Sequence, residues 1–231
     1  MRPGLVALGD SITNGEGAPM LGVRPWSWTQ WLATALELPY TGLAENGARA
    51  PDLLARQLPR LDGPYAIGCL WIGVNDVRSV DFDLAAYAGD LAAAVDGVAA
   101  ACERVVMPTI PLDLGRPRAG EAKVGAANAA IAREAARVGA VVVDLARLRG
   151  WRLVLPDAVH LTAAGQLLVA DLAAGALAAA GATVPARPSA LAERDDSPLG
   201  AARYALTGHA AALARDWRRR AVEGAARRLR R

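Results

Sequence analysis

Short runs of apolar residues alternate along most of the chain with longer segments whose apolar residues recur three or four positions apart. A short continuous run is typical of a strand buried on both faces of a parallel sheet, and the wider spacing is typical of a helix with one buried face. Strands that alternate with helices in this way indicate right-handed βαβ crossovers. We therefore predict an α/β fold whose parallel sheet has five strands, at residues 5–8, 40–44, 66–72, 104–109 and 140–145.

The helices between these strands are predicted from the same pattern. The apolar positions from Trp28 to Leu36 share one helical face, and a short helix is predicted from Pro51. Asp83 has the position of an N-cap for a long helix that follows it. The three long helices are predicted at residues 84–102, 121–138 and 162–180.

The length of the chain limits the number of domains. At 231 residues it is long enough for one well-buried α/β domain and short for two. Prolines and charged residues become frequent after the last predicted helix. We predict a main domain over residues 1–183, a linker over residues 184–199, and an Arg-rich amphipathic tail over residues 200–231.

The formal net charge of +3 combines two unlike parts of the chain. Residues 200–231 contain nine arginines against Asp216 and Glu223, a net charge of +7, so the preceding residues carry −4. The basic character belongs to the tail, and we expect no nucleic-acid binding by the main domain. The tail is expected either to contact an anionic membrane surface or an acidic partner, or to be a solvated helix that packs Leu213 and Trp217 on the domain.

The cysteines and the apolar segments bear on the compartment in which the protein works. Cys69 and Cys102 fall in separate apolar elements and indicate no disulfide framework. No positively charged leader precedes the first strand, and no stretch of about 18 or more residues is expected to be apolar enough to span a bilayer. We therefore expect a soluble protein of the reducing cytoplasm.

Polar residues of unlike type lie at four places that end or follow predicted strands. Because parallel strands share one carboxyl edge, and open α/β sheets bind their ligands at that edge, we expect these residues to converge. The four places are Gly9-Asp10-Ser11, Asn46-Gly47, Gly73-Val74-Asn75-Asp76 and Asp157-Ala158-Val159-His160.

Together these residues supply what acyl transfer requires: a nucleophile, a base, a group that orients the base, and donors for the developing oxyanion. Ser11 is the candidate nucleophile, and His160, one of two histidines, is the candidate base. Asp157 lies three residues before His160, so it can accept a hydrogen bond from Nδ1 while Nε2 faces Ser11. The backbone N–H of Gly47 and the side-chain amide of Asn75 are the candidate oxyanion donors.

The motifs GDSIT at residues 9–13, Gly47 in the second block, GVND at residues 73–76 and DAVH at residues 157–160 together resemble those of the GDSL, or SGNH, hydrolases. The resemblance covers residues 4 to about 180 and departs at Ile12, where the name-giving motif has leucine. It implies a three-layer α/β/α, flavodoxin-like fold with strand order 2-1-3-4-5 and no metal or organic cofactor. The roles that it implies are Ser11 as nucleophile, His160 as base, Asp157 as its orienting group, and the backbone of Ser11 with Gly47 and Asn75 as the oxyanion hole.

The sequence thus predicts a serine esterase that hydrolyses a carboxylic ester, with a small acyl group such as O-acetyl on a sugar or secondary metabolite favoured. The loops expected around the site carry Gly, Pro and Arg and form no evident long apolar tunnel. A lysophospholipase or thioesterase, and a non-catalytic binding protein that uses its basic tail, stay open as alternatives. Trp26 and Arg78 are candidate substrate contacts, and an anionic substrate would also be met by Arg24, Arg116 and Arg118.

Overall fold

Five parallel strands form the central sheet of the computed structural model, which describes residues 3–15, 17–18, 22–114, 119–193, 195, 197–214 and 217–218. In chain order the strands are β1 Leu5–Gly9, β2 Gly17–Ala18, β3 Tyr40–Gly42, β4 Tyr65–Trp71, β5 Cys102–Pro108, β6 Val141–Val143 and β7 Leu161–Thr162. The central sheet has the order β3-β1-β4-β5-β6. Counted within this sheet alone, this is the order 2-1-3-4-5, so the predicted topology is confirmed.

Eight α-helices are found in the described residues, and two of them continue as wider or tighter turns. Helix α3 runs on through a π-helical turn and a 3₁₀ turn, and α8 runs on through a second π-helical turn. The helices are α1 Ser11–Asn14, α2 Trp28–Ala35, α3 Ala50–Asp52 with Leu53–Gln57 and Leu58–Arg60, α4 Val74–Arg78, α5 Leu84–Ala101, α6 Glu121–Val138, α7 Ala163–Ala179, and α8 Pro198–Arg203 with Tyr204–His209.

The helices pack around the sheet in two groups. Helix α2 packs against α7, and α5 packs against α3 and α6. Trp28 and Trp31 are buried on α2, as their helical spacing predicts. Strand β1 lies between β3 and β4, and all of its residues are buried. This interior position, second in the sheet order, places Ser11, which follows β1, at the carboxyl edge of the sheet.

The structure contains short elements that the apolar pattern does not predict. Strands β2 and β7 pair in parallel as a separate two-stranded sheet. Helices α1 and α4 begin two and three residues after the last residues of β1 and β4, where the apolar pattern predicts no helix. The last strand of the central sheet ends at Val143, two residues before the predicted end, because the Leu145 N–H donates to the Thr109 hydroxyl at 2.7 Å instead of to a neighbouring strand.

Helix α5 corrects one expectation from the sequence. By length and composition, Leu84–Ala101 is long and apolar enough to cross a membrane. In the fold, Tyr87, Leu91 and Val95 are buried, and the helix contacts β4, β5 and α6. A helix that packs on a sheet can be as long and as apolar as one that crosses a membrane. Because α5 buries these side chains against the sheet and α6, it belongs to the α/β core.

The segment after α7 returns to the main domain. The Ala186 N–H donates to the Ala35 carbonyl at 3.3 Å, and the Arg187 side chain binds Asp171 at 3.0 Å. The division of the chain into a domain, a linker at residues 184–199 and a tail stays a prediction. Cys69 and Cys102 are both free thiols.

Candidate active site

The turn from β1 to α1 presents Ser11 at the carboxyl edge of the sheet. Gly9 ends the strand with φ +150°, and a Cβ at this position would lie 2.3 Å from the Trp71 carbonyl oxygen on β4. Only glycine fits this close approach with this backbone conformation. The Asp10 side chain then caps α1 by accepting from the Ile12 N–H at 2.9 Å. Ser11 therefore begins a short helix directly beside a strand end.

Three side chains from two distant parts of the chain meet at this turn. The Ser11 hydroxyl lies 2.8 Å from His160 Nε2, and His160 Nδ1 lies 2.6 Å from Asp157 Oδ2. When Nδ1 carries the proton and donates to Asp157, Nε2 is free to accept from Ser11. This is the hydrogen-bond order of a nucleophile, a general base and the group that orients the base.

Asp157 is held as an anion by the short segment that it shares with His160. Burial by itself would raise the pKa of Asp157, but the hydrogen bond and charge of the His160 ring oppose this effect. The backbone N–H groups of Val159 and His160 also donate to Oδ1 at 3.0 Å each. The result is a pKa well below the usual range of a carboxyl, so Asp157 stays charged and able to stabilise an imidazolium.

The sequence profile of the GDSL-like lipase/acylhydrolase family matches residues 7–168, a range that contains all three of these side chains. The chain belongs to this family. As a family member, this GDSL-like hydrolase is a serine hydrolase that cleaves ester bonds. No curated protein sequence gives a significant match to the chain.

Solved structures with the same fold come from different sources. An α/β hydrolase from the metagenome of Lake Arreo, Spain, has 22% identity and a TM-score of 0.63, over 76% of this chain and 95% of that chain. An acetylxylan esterase from Geobacillus stearothermophilus has 20% identity and a TM-score of 0.60, over 76% and 94%. A protein described as a GDSL-like lipase, from Parabacteroides merdae, has 16% identity and a TM-score of 0.61, over 77% and 96%. At these identities the likeness shows a shared fold.

The two candidate oxyanion residues of the hydrolase lie on neighbouring segments that are tied together. The Asn75 side-chain Nδ2 donates to the Ala48 carbonyl at 3.0 Å, and Asp76 accepts from the Ala50 N–H at 3.1 Å. These bonds fix the first turn of α4 against the loop that contains Gly47. Gly47 is exposed with φ +76°, and a Cβ there would meet no described atom within 4 Å. Glycine is therefore required at this position by its backbone conformation, not by crowding.

Two buried glutamines support the nucleophile turn, and the sequence analysis does not identify either of them. Gln57 accepts from the Gly9 N–H at 2.9 Å and donates to the Gly9 carbonyl at 2.8 Å. Gln166, on α7, donates to the Ile12 carbonyl at 2.9 Å and accepts from the Trp28 N–H at 2.9 Å. In the sequence, each glutamine is visible only as a single polar side chain among the apolar positions of a helix. That pattern does not indicate which backbone groups the glutamine binds.

Two buried carboxyl groups lie near the triad and titrate abnormally. Burial raises the pKa of Asp10 to about 7, although the Ile12 N–H and the nearby charge of His160 oppose the shift. Burial likewise raises the pKa of Asp76 to about 6. Asp10 Oδ2 is buried without a hydrogen-bond partner among the described residues. Both carboxyl groups accept from backbone N–H groups, and burial disfavours the charged form of each.

The structure does not bring the candidate substrate contacts to the triad as a group. Trp26 packs on Trp31 and lines a cavity of about 280 Å³ whose described lining contains no triad residue; Arg24 lies over the Trp26 ring. Arg78, at the end of α4, lies close enough to Asp10 to lower its pKa. Arg116 and Arg118 lie outside the described residues.

A cavity lies against the segment that carries Asp157. It has a volume of about 200 Å³, and the chain around it is mostly apolar. Its lining includes Trp151, Val154, Leu155, Pro156 and Ala158, together with His209 at the end of the π-helical turn that continues α8. Ala158, which directly follows Asp157, has φ +60°, so the backbone turns sharply between the cavity and the triad.

Proposed function

We propose that this hydrolase removes a small acyl group, such as acetyl, from a sugar or a secondary metabolite. The observation that carries the proposal is the 2.8 Å approach of the Ser11 hydroxyl to His160 Nε2, with Asp157 on the other ring nitrogen. A serine held in this way attacks an ester carbonyl as its proton passes to the imidazole.

The first half of the reaction forms an acyl-enzyme. Attack by Ser11 Oγ gives a tetrahedral intermediate, whose negative oxygen would be held by the backbone N–H groups of Ser11 and Gly47 and by the Asn75 amide. Ser11 is the first residue of α1, so its N–H has no acceptor within the helix and is available to the substrate. His160 then donates its proton to the departing alcohol.

The second half of the reaction releases the acid. Water attacks the acyl-enzyme carbonyl while His160 takes a proton from the water, and the proton returns to Ser11 as the acid departs. Asp157 keeps the imidazole in the required tautomer through both halves. These steps need only the side chains and backbone groups already named.

A structural neighbour supports the choice of a small acyl group. One protein with the same fold is described as an acetylxylan esterase, and variants of that esterase that lack a serine or an aspartate are described as catalytic mutants. A lysophospholipase or thioesterase would need room for a longer acyl chain.

A chain-length series of p-nitrophenyl esters tests this proposal. We expect kcat/KM to be highest for the acetyl ester and to fall steadily through butyryl, octanoyl and palmitoyl esters, and acetate to be released from an acetylated xylo-oligosaccharide. Ser11→Ala should lower kcat by at least about a thousandfold, because nucleophile and base act as one unit. Ser79→Ala, at a serine outside the triad, serves as the control.

The outcomes test the preference for a small acyl group and the role of Ser11 as nucleophile separately. A maximum at octanoyl or palmitoyl would remove the small-acyl preference and favour a lipid acyl hydrolase. Undiminished turnover in folded Ser11→Ala protein would remove the proposed nucleophile itself.

A further inference from the structure

The helical segment that begins with α8 has one side that contacts the main domain. We call residues 198–214 the tail helix. Tyr204 is 5% exposed, and its ring stacks on Trp151 with a centroid separation of 6.0 Å and an interplanar angle of 13°. His209, one turn further on, meets the edge of the same Trp151 ring at 5.5 Å. Tyr204, and not the predicted Leu213 and Trp217, therefore anchors the tail helix.

The other side of the tail helix presents large apolar side chains to solvent. The exposed fractions are 79% for Leu199, 78% for Leu206, 43% for Leu213 and 77% for Trp217, which follows the helix. The three leucines recur at seven-residue intervals along the tail helix, and all three are exposed, as is Trp217. These four residues, which we call the outer stripe, are four of the ten large apolar side chains exposed in the described part of the chain. Such clustering indicates a contact surface, not scattered surface apolarity.

The charge around the outer stripe indicates what covers it. Residues 200–231 have a net charge of +7, and the described Arg203 and Arg218 are exposed. A second copy of this chain would bring an equal positive charge against the first, and the two tails would repel each other. A surface that carries dense negative charge above an apolar layer can bind the arginines through its charge and the outer stripe through its apolar layer.

We propose that the tail helix docks this hydrolase on an anionic lipid bilayer. The leucines of the outer stripe enter the boundary between headgroups and acyl chains, and Trp217 takes the interfacial position that tryptophan favours. The arginines bind lipid phosphates from the polar side of the helix. The inference is independent of which ester the active site hydrolyses.

The contact between Tyr204 and Trp151 connects the docked tail helix to the segment that carries Asp157. Trp151 lies six residues before Asp157, and His209 shares a cavity lining with Ala158, which directly follows Asp157. Docking through the opposite side of the helix leaves the contact between Tyr204 and Trp151 intact. The active-site segment would therefore be held close to the bilayer, on the protein side of the helix.

Vesicle flotation of the full chain tests the proposal. We expect binding to vesicles of phosphatidylcholine and phosphatidylglycerol, little binding to vesicles of phosphatidylcholine alone, and release by high salt because the lipid charge is screened. The double variant Leu206→Ser/Leu213→Ser should lower the affinity for the mixed vesicles by at least about tenfold, since two buried apolar side chains are lost. Hydrolysis of the soluble p-nitrophenyl acetate should stay unchanged in this variant.

The matched control is Val80→Ser, which removes an apolar side chain that is 73% exposed outside the tail helix. It should keep the wild-type affinity for vesicles. Equal flotation of the wild type and the double variant would overturn the proposal, as would the absence of any flotation with mixed vesicles. A dimer in sedimentation equilibrium without lipid, dispersed by the double variant, would also overturn it and assign the outer stripe to a second copy of the chain.

Discussion

The side-chain amide of Gln57 pairs with both backbone groups of Gly9, at 2.9 Å from the Gly9 N–H and 2.8 Å to the Gly9 carbonyl. Gly9 is two residues before the nucleophile and ends β1, an interior strand of the sheet. Gln57 is fully buried at the end of a π-helical turn, a feature often found beside functional sites. This amide therefore sets the position from which Ser11 leaves the sheet.

We expect Gln57→Leu to lower kcat about ten- to a hundredfold with little change in KM, because a small displacement of the nucleophile costs rate more than substrate binding. The variant should also lose roughly 1–3 kcal/mol of stability, since the Gly9 groups remain buried without their partner. Steady-state kinetics and thermal unfolding measure the two effects separately.

Asn128 is the matched control for this prediction. Its amide holds Ile110 in the same way, accepting from the N–H at 2.7 Å and donating to the carbonyl at 2.8 Å, but Ile110 carries no triad group. Asn128→Leu should lose comparable stability and keep kcat close to that of the wild type. If both variants lowered kcat equally, the effect of Gln57 would be one of general stability.

Asp10 is expected to make stability depend on pH. Its pKa in the folded protein is about 7, above the value of about 3.9 for an unfolded aspartate, so the folded state binds more protons between these values. Its contribution to stability is therefore fully present below about pH 4 and is lost progressively as the pH rises to about 7, by an amount on the order of 4 kcal/mol. Burial also raises the pKa of Asp76, to about 6, so Asp76 likewise lowers the stability of the folded protein as the pH rises.

Asp10→Asn should flatten this dependence. Asparagine keeps an oxygen to accept from the Ile12 N–H but carries no charge, so the variant should gain stability over the wild type at pH 8 and differ little at pH 4. Denaturant unfolding across this range checks the slope. Asp96→Asn, at an exposed carboxylate on α5, should keep the wild-type slope; a flat wild-type profile would contradict the prediction.

Asn75 is expected to act on the transition state. Asn75→Ala should lower kcat and kcat/KM together by about a hundred- to a thousandfold, because the amide bonds an oxyanion that the bound substrate does not yet carry. Kinetics with p-nitrophenyl acetate measure the effect. A raised KM with unchanged kcat would instead assign Asn75 to ground-state binding.

The sequence is informative about this fold because its strands and helices differ in local pattern. The four-residue run from Leu5 ends at glycine, and the 18 residues of α6 begin and end where periodicity predicts. Asp157 and His160 lie three residues apart, so their contact is set within a single turn of chain. Short elements such as β2 and β7 have no such pattern, because two residues are too few to show a period.

Local spacing alone determined the alternation of strands and helices, the order of the motifs and the pairing of Asp157 with His160. Only the tertiary structure decided that Ser11 meets an imidazole 149 residues away, and that Gln57 and Gln166 support the same turn from positions 48 and 154 residues further along the chain. It also decided that Tyr204 packs on the domain while Leu206 faces solvent. The physical reason is that neighbouring residues fix backbone geometry and apolar periodicity, whereas contacts between distant residues depend on how sheet order and helix packing bring them together.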